Sequence, residues 1–183
     1  MEEIAAYGRK GLRMHTDKLG IYLNDHLMGA TFGVGIARRI ARQNRHSVRG
    51  PDLQRIAEEI AEDREALLGL MGTLGVPARR YKIYGGWAAE RLGRLKPNGA
   101  LYRRSGLSTF IELETLRLGI EGKSLIWGTL LVVASHDPRL DTSRLGELLE
   151  RARRQIATLE TMRRSAAEVI FADDVRDTSA DSG

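Results

Sequence analysis

The 183-residue chain predicts an all-α fold, a four-helix bundle of two helical hairpins joined by a long crossover. Three observations carry that expectation. Four long segments repeat their apolar residues with the period of an α-helix. Within the first and second pair of segments the connections are short, as antiparallel neighbours require. Between the pairs lies a connection of about 30 residues, 76–105, long enough to run the length of a bundle.

The first helix is expected over residues 17–43, with Thr16 as N-cap. The second opens at Gly50-Pro51-Asp52 and runs to about Leu74. Proline suits the first helical position, aspartate favours the helix dipole, and Gly75 followed by Pro77 is a stop signal. The third is expected from the capping-box pattern Thr109-Phe110-Ile111-Glu112 to about Ser135, where His136-Asp137-Pro138 breaks it. The fourth starts near Asp141-Thr142 and ends near Phe171. These bounds divide the chain into an N-terminal arm (1–16), a bundle (17–171, crossover 76–105) and a disordered acidic tail (172–183). A short helix is expected inside the crossover, at about residues 86–95.

Composition narrows the function classes. There is no cysteine, which removes disulfides, thiolate metal sites and cysteine nucleophiles, and is in keeping with a reducing, cytoplasmic setting. The N-terminus has no apolar core of a signal peptide, and the longest apolar run, residues 125–134, is half of the ~20 residues a membrane span needs. The net charge of +5 is unevenly placed. Residues 76–105 hold eight cationic residues and one glutamate, so that stretch carries +7 and the rest −2. Arg79, Arg80, Lys82, Arg103 and Arg104 interleave there with Tyr81, Tyr84, Trp87 and Tyr102. Cations beside aromatic rings suit phosphates and stacked bases, so nucleic-acid binding is one expectation for this patch. A solvated loop in an arginine-rich chain is the other, and the composition favours it.

Each apolar stripe has one polar interruption at core spacing: His26, Asp63, Lys123 and Gln155. In a crossover topology the second and third helices run the same way. Asp63, Lys123 and Gln155 then fall within about one turn of a common depth, at 1.5 Å rise per residue. They predict a buried polar layer in which aspartate and lysine pair, since a buried charge has to be paired or neutralised. His26 lies one to two turns away as a looser neighbour. The alternative is a lysine whose ammonium reaches solvent along its apolar stem.

Lys123 sits in the stretch Gly119-Ile120-Glu121-Gly122-Lys123-Ser124, which ends like a phosphate-binding loop. The required earlier glycine falls on Arg117, and the stretch lies in mid-helix, where the amides are already bonded. That reading fails. Gly119 and Gly122, with Gly29, Gly33 and Gly35, are expected instead to let a neighbouring helix approach closely.

With its four long helices, long central connection and carboxylate-rich second and third helices, the chain resembles the ferritin-like superfamily. The stretches EEIAEDREALLGLMGTLG and IEGKSLIWGTLLVVA resemble most the bacterial ferritin-like proteins of the YciE/YciF type. The resemblance implies a carboxylate-bridged di-iron centre with a Glu-x-x-His pair on each of two helices. Here no glutamate of the second helix is followed by histidine at that spacing, and the fourth helix has no histidine. The expected site is therefore a degenerate one with no cofactor, Lys123 supplying the positive charge. The role that follows is a binding or structural protein, a homodimer through helix packing, and more an interaction module than an enzyme. The alternative is an iron- or manganese-binding oxidase with Glu59, Asp63, Glu121 and His26 as ligands.

Overall fold

The computed structural model of the protein describes residues 2–79 and 106–180, with side chains described for residues 18–79 and 106–171. The described residues form four helices and no strand: α1 (Glu2–Gln43), α2 (Gly50–Thr73), α3 (Gly106–Ala134) and α4 (Thr142–Ala180). The short crossover helix expected at 86–95, and all of the basic patch except Arg79, lie outside the described residues.

Contacts between named residues set the direction of each helix. Gly33 lies beside Ile60, and Arg64 Nε donates to Thr31 Oγ1 at 3.1 Å, so α1 and α2 are antiparallel. Tyr22 pairs with Thr129 and Arg39 with Glu112, so α1 and α3 are antiparallel too. Arg163 faces Glu114 while Gln155 meets Lys123, which makes α3 and α4 antiparallel. It follows that α2 and α3 run in the same direction. The end of α2 and the start of α3 accordingly lie at opposite ends of the bundle.

Local chemistry explains the helix ends. Asp141 Oδ1 accepts from the backbone N–H of Ser143 at 2.9 Å and of Arg144 at 3.2 Å, satisfying two donors that the first turn of α4 leaves open. Gly75 adopts φ +71° after α2, a conformation glycine takes without steric cost. At the α1–α2 turn a Cβ on Gly50 would lie 2.8 Å from the carbonyl oxygens of Asn44 and Arg45, so only glycine fits. Asn24, 2% exposed, holds the chain leaving α2: its amide donates to the Pro77 carbonyl at 3.2 Å and its Oδ1 accepts from the Arg79 N–H at 2.8 Å.

Three expected boundaries move. α1 begins at Glu2, so Thr16 is not its N-cap and residues 2–16 are not a separate arm. That stretch has no proline and is rich in Ala, Glu, Arg, Lys, Leu and Met, all good helix formers. α3 begins at Gly106, three residues before the proposed cap Thr109. α4 continues past Phe171 to Ala180, through the stretch expected to be a disordered tail, because no proline or glycine interrupts residues 172–180. The core between the helices is aliphatic, with Leu23, Ile40, Ile56, Leu113, Leu130, Leu145 and Leu148 fully enclosed. Among the described residues no helix is long and apolar enough to cross a membrane.

Candidate functional site

The middle of the bundle is polar. Asp63 and Gln155 are each 1% exposed, and the Lys123 side chain is 12% exposed. Lys123 Nζ donates to Asp63 Oδ2 and, at 2.5 Å, to Gln155 Oε1. Burial pushes the Lys123 ammonium below its ordinary pKa; the Asp63 charge and hydrogen bond oppose that shift.

Two further residues complete the cluster, and the helix register explains both. Glu59 and Asp63 are four apart on α2, and Arg151 and Gln155 are four apart on α4, so each pair shares a face. Because the two helices run antiparallel, Gln155 meets Glu59 and Arg151 meets Asp63. Gln155 Nε2 donates to Glu59 Oε2 at 2.6 Å. Arg151 Nη1 donates to Glu62 Oε2 at 2.7 Å and lies 3.5 Å from Asp63 Oδ1, an oxygen with no hydrogen bond of its own among the described residues. Positive and negative groups therefore alternate through the layer: Lys123 and Arg151 against Asp63, Glu59 and Glu62. Arg151 escapes a reading of the sequence, where it looks like one more solvated arginine of the fourth helix. The signal that could have found it is its spacing of four from Gln155.

The layer forms part of the wall of a cavity of about 470 Å³ bounded by α1, α2 and α3. Glycines open this space. Among the described residues nothing lies within 4 Å of a Cβ built on Gly29, Gly119 or Gly122, and at Gly33 only Ile60 Cγ2 does, at 4.0 Å. The expectation that these glycines, and Gly35, let a neighbouring helix approach closely is not met among the described residues: at four of the five positions nothing lies within 4 Å, and Gly29, Gly33, Gly119 and Gly122 border a hole instead. Trp127, Ile120 and Leu67 give it an apolar lining.

His26 also lines the cavity, packed edge-on against Tyr22 at 4.5 Å between ring centroids. Burial lowers its imidazole pKa, with Asp25 acting in the opposite sense. It makes no hydrogen bond to Asp63 or Lys123. Nor do the four proposed metal ligands converge. Glu59 is held by Gln155, Asp63 by Lys123, and Glu121 is exposed, two residues and so about 200° round α3 from Lys123. Among the described residues no group of three or more histidine and carboxylate side chains is placed to hold a metal ion. Among the described residues, the arrangement of these side chains does not fit a di-iron centre.

Comparison with family models, with curated proteins and with solved structures yields no match to this chain.

Proposed function

We propose that this chain is a ferritin-like four-helix bundle that works as a binding protein, with an ion-pair layer where a ferritin-like oxidase holds its metal ions. The observation that carries the reading is Lys123: its ammonium occupies the space between Asp63 and Gln155, so a cation entering the layer would have to displace it. The directions of the four helices support the ferritin-like layout. The adjoining cavity supports the binding role, since 470 Å³ of mostly apolar space falls in the ~300–1,000 Å³ range of small-molecule pockets. The ligand class that suits it is an uncharged apolar molecule, because the charges around Lys123 are already paired.

Two measurements test this. Protein prepared in medium supplemented with iron and manganese should retain no stoichiometric metal after desalting; one or two equivalents retained would establish the metal-binding alternative instead. An uncharged apolar dye such as Nile red should bind the unsubstituted protein at one site and lose that binding in Gly33→Leu, whose side chain projects into the open space. Equal dye binding by the two proteins would overturn the assignment of the cavity.

A further inference from the structure

α3 has two apolar strips, and among the described residues only one is enclosed in the core; Thr115, Leu118 and Gly122 of the other also line the cavity. Leu113, Leu116, Ile120, Trp127 and Leu130 are buried in the core. On another face Ile111, Leu118, Leu125 and Val132 recur every seven residues, 51%, 66%, 62% and 69% exposed. Thr115, Gly122 and Thr129 fall between them, so the seven positions alternate steps of four and three, the spacing of a coiled-coil seam. None is charged. The hydroxyls of Thr115 and Thr129 donate to the carbonyls of Ile111 and Leu125 in their own helix, at 2.8 and 2.9 Å, and Thr129 also meets the Tyr22 hydroxyl at 3.2 Å, so both threonines are engaged within the chain.

We propose that this seam docks a second copy of the chain, α3 against α3, in antiparallel order about a two-fold axis level with Ile120. The alternation of bulky and small residues selects the partner and its direction. A two-fold interface needs a patch complementary to itself. In the antiparallel register each bulky residue meets a small one: Leu118 the partner's Gly122, Leu125 the partner's Thr115, Ile111 the partner's Thr129, and Val132 the partner's Ser108. A parallel pair would stack leucine on leucine and glycine on glycine, crowding some layers and emptying others. Close packing disfavours that arrangement. Gly122 is open to such an approach, with nothing described within 4 Å of its Cβ position.

The strip alone is smaller than a standard interface and needs its neighbours to complete one. From Ile111 to Val132 it is ~32 Å long at 1.5 Å per residue. Its four aliphatic side chains expose on the order of several hundred Å², below the ~800 Å² per partner of a standard interface. Leu107, 45% exposed and one turn before Ile111, extends it, as does Ile21, 51% exposed and next to the Tyr22 whose hydroxyl pairs with Thr129. Glu121 borders the axis on both copies, and its two carboxylates repel; Glu121→Gln should therefore tighten the dimer.

The absence of cysteine makes the test clean, because an introduced thiol reports only its own position. Sedimentation equilibrium should give twice the 20.4 kDa of one chain, and Leu118→Glu should reduce it to one chain with an unchanged circular dichroism spectrum. Under mild oxidation, Leu118→Cys mixed with Gly122→Cys should cross-link much faster than either variant alone. A monomer throughout the concentration range, a dimer that survives Leu118→Glu, or self-linking of each cysteine variant faster than the mixture would each overturn the proposal. Recovery of the chain only on lipid vesicles or bound to a different protein, with the purified chain monomeric, would overturn it as well.

Discussion

On its inward face α3 buries a lysine, and on its outward face it leaves four aliphatic side chains in solvent. Neighbouring residues mark the contrast: both border the cavity, Gly122 from the seam and Lys123 from the layer. The buried charge is compensated inside the chain, by Asp63 and Gln155 directly and by the alternating groups of Glu59 and Arg151 behind them. Among the described residues nothing encloses the exposed aliphatic side chains in the same way. Buried polar groups and large exposed apolar patches are the two departures from ordinary burial that carry information. Here the inner departure specifies how four helices meet, and the outer one specifies what else can meet them.

The sharpest way to break the inner half of this comparison is to remove one member of the ion pair. Lys123→Met leaves Asp63 buried without its direct partner, for which the usual cost is about 3–5 kcal/mol. Because Arg151 stays 3.5 Å from Asp63 Oδ1, the lower end, about 3 kcal/mol, is expected. Lys123→Met combined with Asp63→Leu removes both charges and should cost far less than the single change. Urea unfolding of the three proteins decides it; equal losses in the single and double variants would mean that the two residues are not coupled.

A second experiment compares the two faces directly with one residue type. Leu116 is 3% exposed and Leu118 is 66% exposed, two positions apart on the same helix. Leu116→Ala should lower the stability of the chain by about 2–5 kcal/mol through lost burial and the cavity left behind. Leu118→Ala should change the stability of the single chain by no more than about 0.5 kcal/mol. Dilution below the dissociation range of the proposed dimer isolates that second number, and a large loss there would place Leu118 in the core after all.

How legible these features are in the sequence follows from what makes each one. The helices and their turns are readable because Pro51, Gly75, Pro138 and Asp141 act locally, through φ restriction and capping. Asp63, Lys123 and Gln155 stand out because each interrupts an apolar stripe at core spacing. The far ends of α1 and α4 are not readable in this way: residues 172–180 contain neither proline nor glycine, and in residues 2–16 Gly8 and Gly11 lie inside the helix without ending it. Arg151 is hidden because its spacing of four from Gln155 takes on meaning only through the register between α2 and α4, which no local pattern encodes. The cavity is hidden for a related reason: Gly29, Gly33, Gly119 and Gly122 fit a close helix approach as well as a void, and only the packing tells them apart. The outer seam is masked because α3 is apolar around most of its circumference, so the first stripe found ends the search.

The smallest expected effect concerns the rim between α3 and α4. Glu160 accepts from Arg163 at 2.8 Å and from Arg164 at 2.9 Å, and Arg117 of α3 lies 3.2 Å away. The hydrogen bonds from Arg163 and then Arg164 lower its pKa from 4.5 to about 2. A carboxylate whose pKa is depressed by folding stabilises the folded chain above its unfolded value and loses that contribution as pH falls through the folded one. The pair should therefore add stability above pH 4.5 and lose it progressively down to about pH 2. Since these groups lie at the surface, the effect should shrink as salt is raised, unlike that of the buried Lys123–Asp63 pair. Glu160→Gln should lower thermal stability slightly at neutral pH, and the difference from the unsubstituted protein should close as pH falls from 4.5 to about 2, which flattens the acid limb. An acid limb with the same slope in both proteins would assign the loss to other carboxylates, and Glu160 would then be a solvated group with no part in joining α3 to α4.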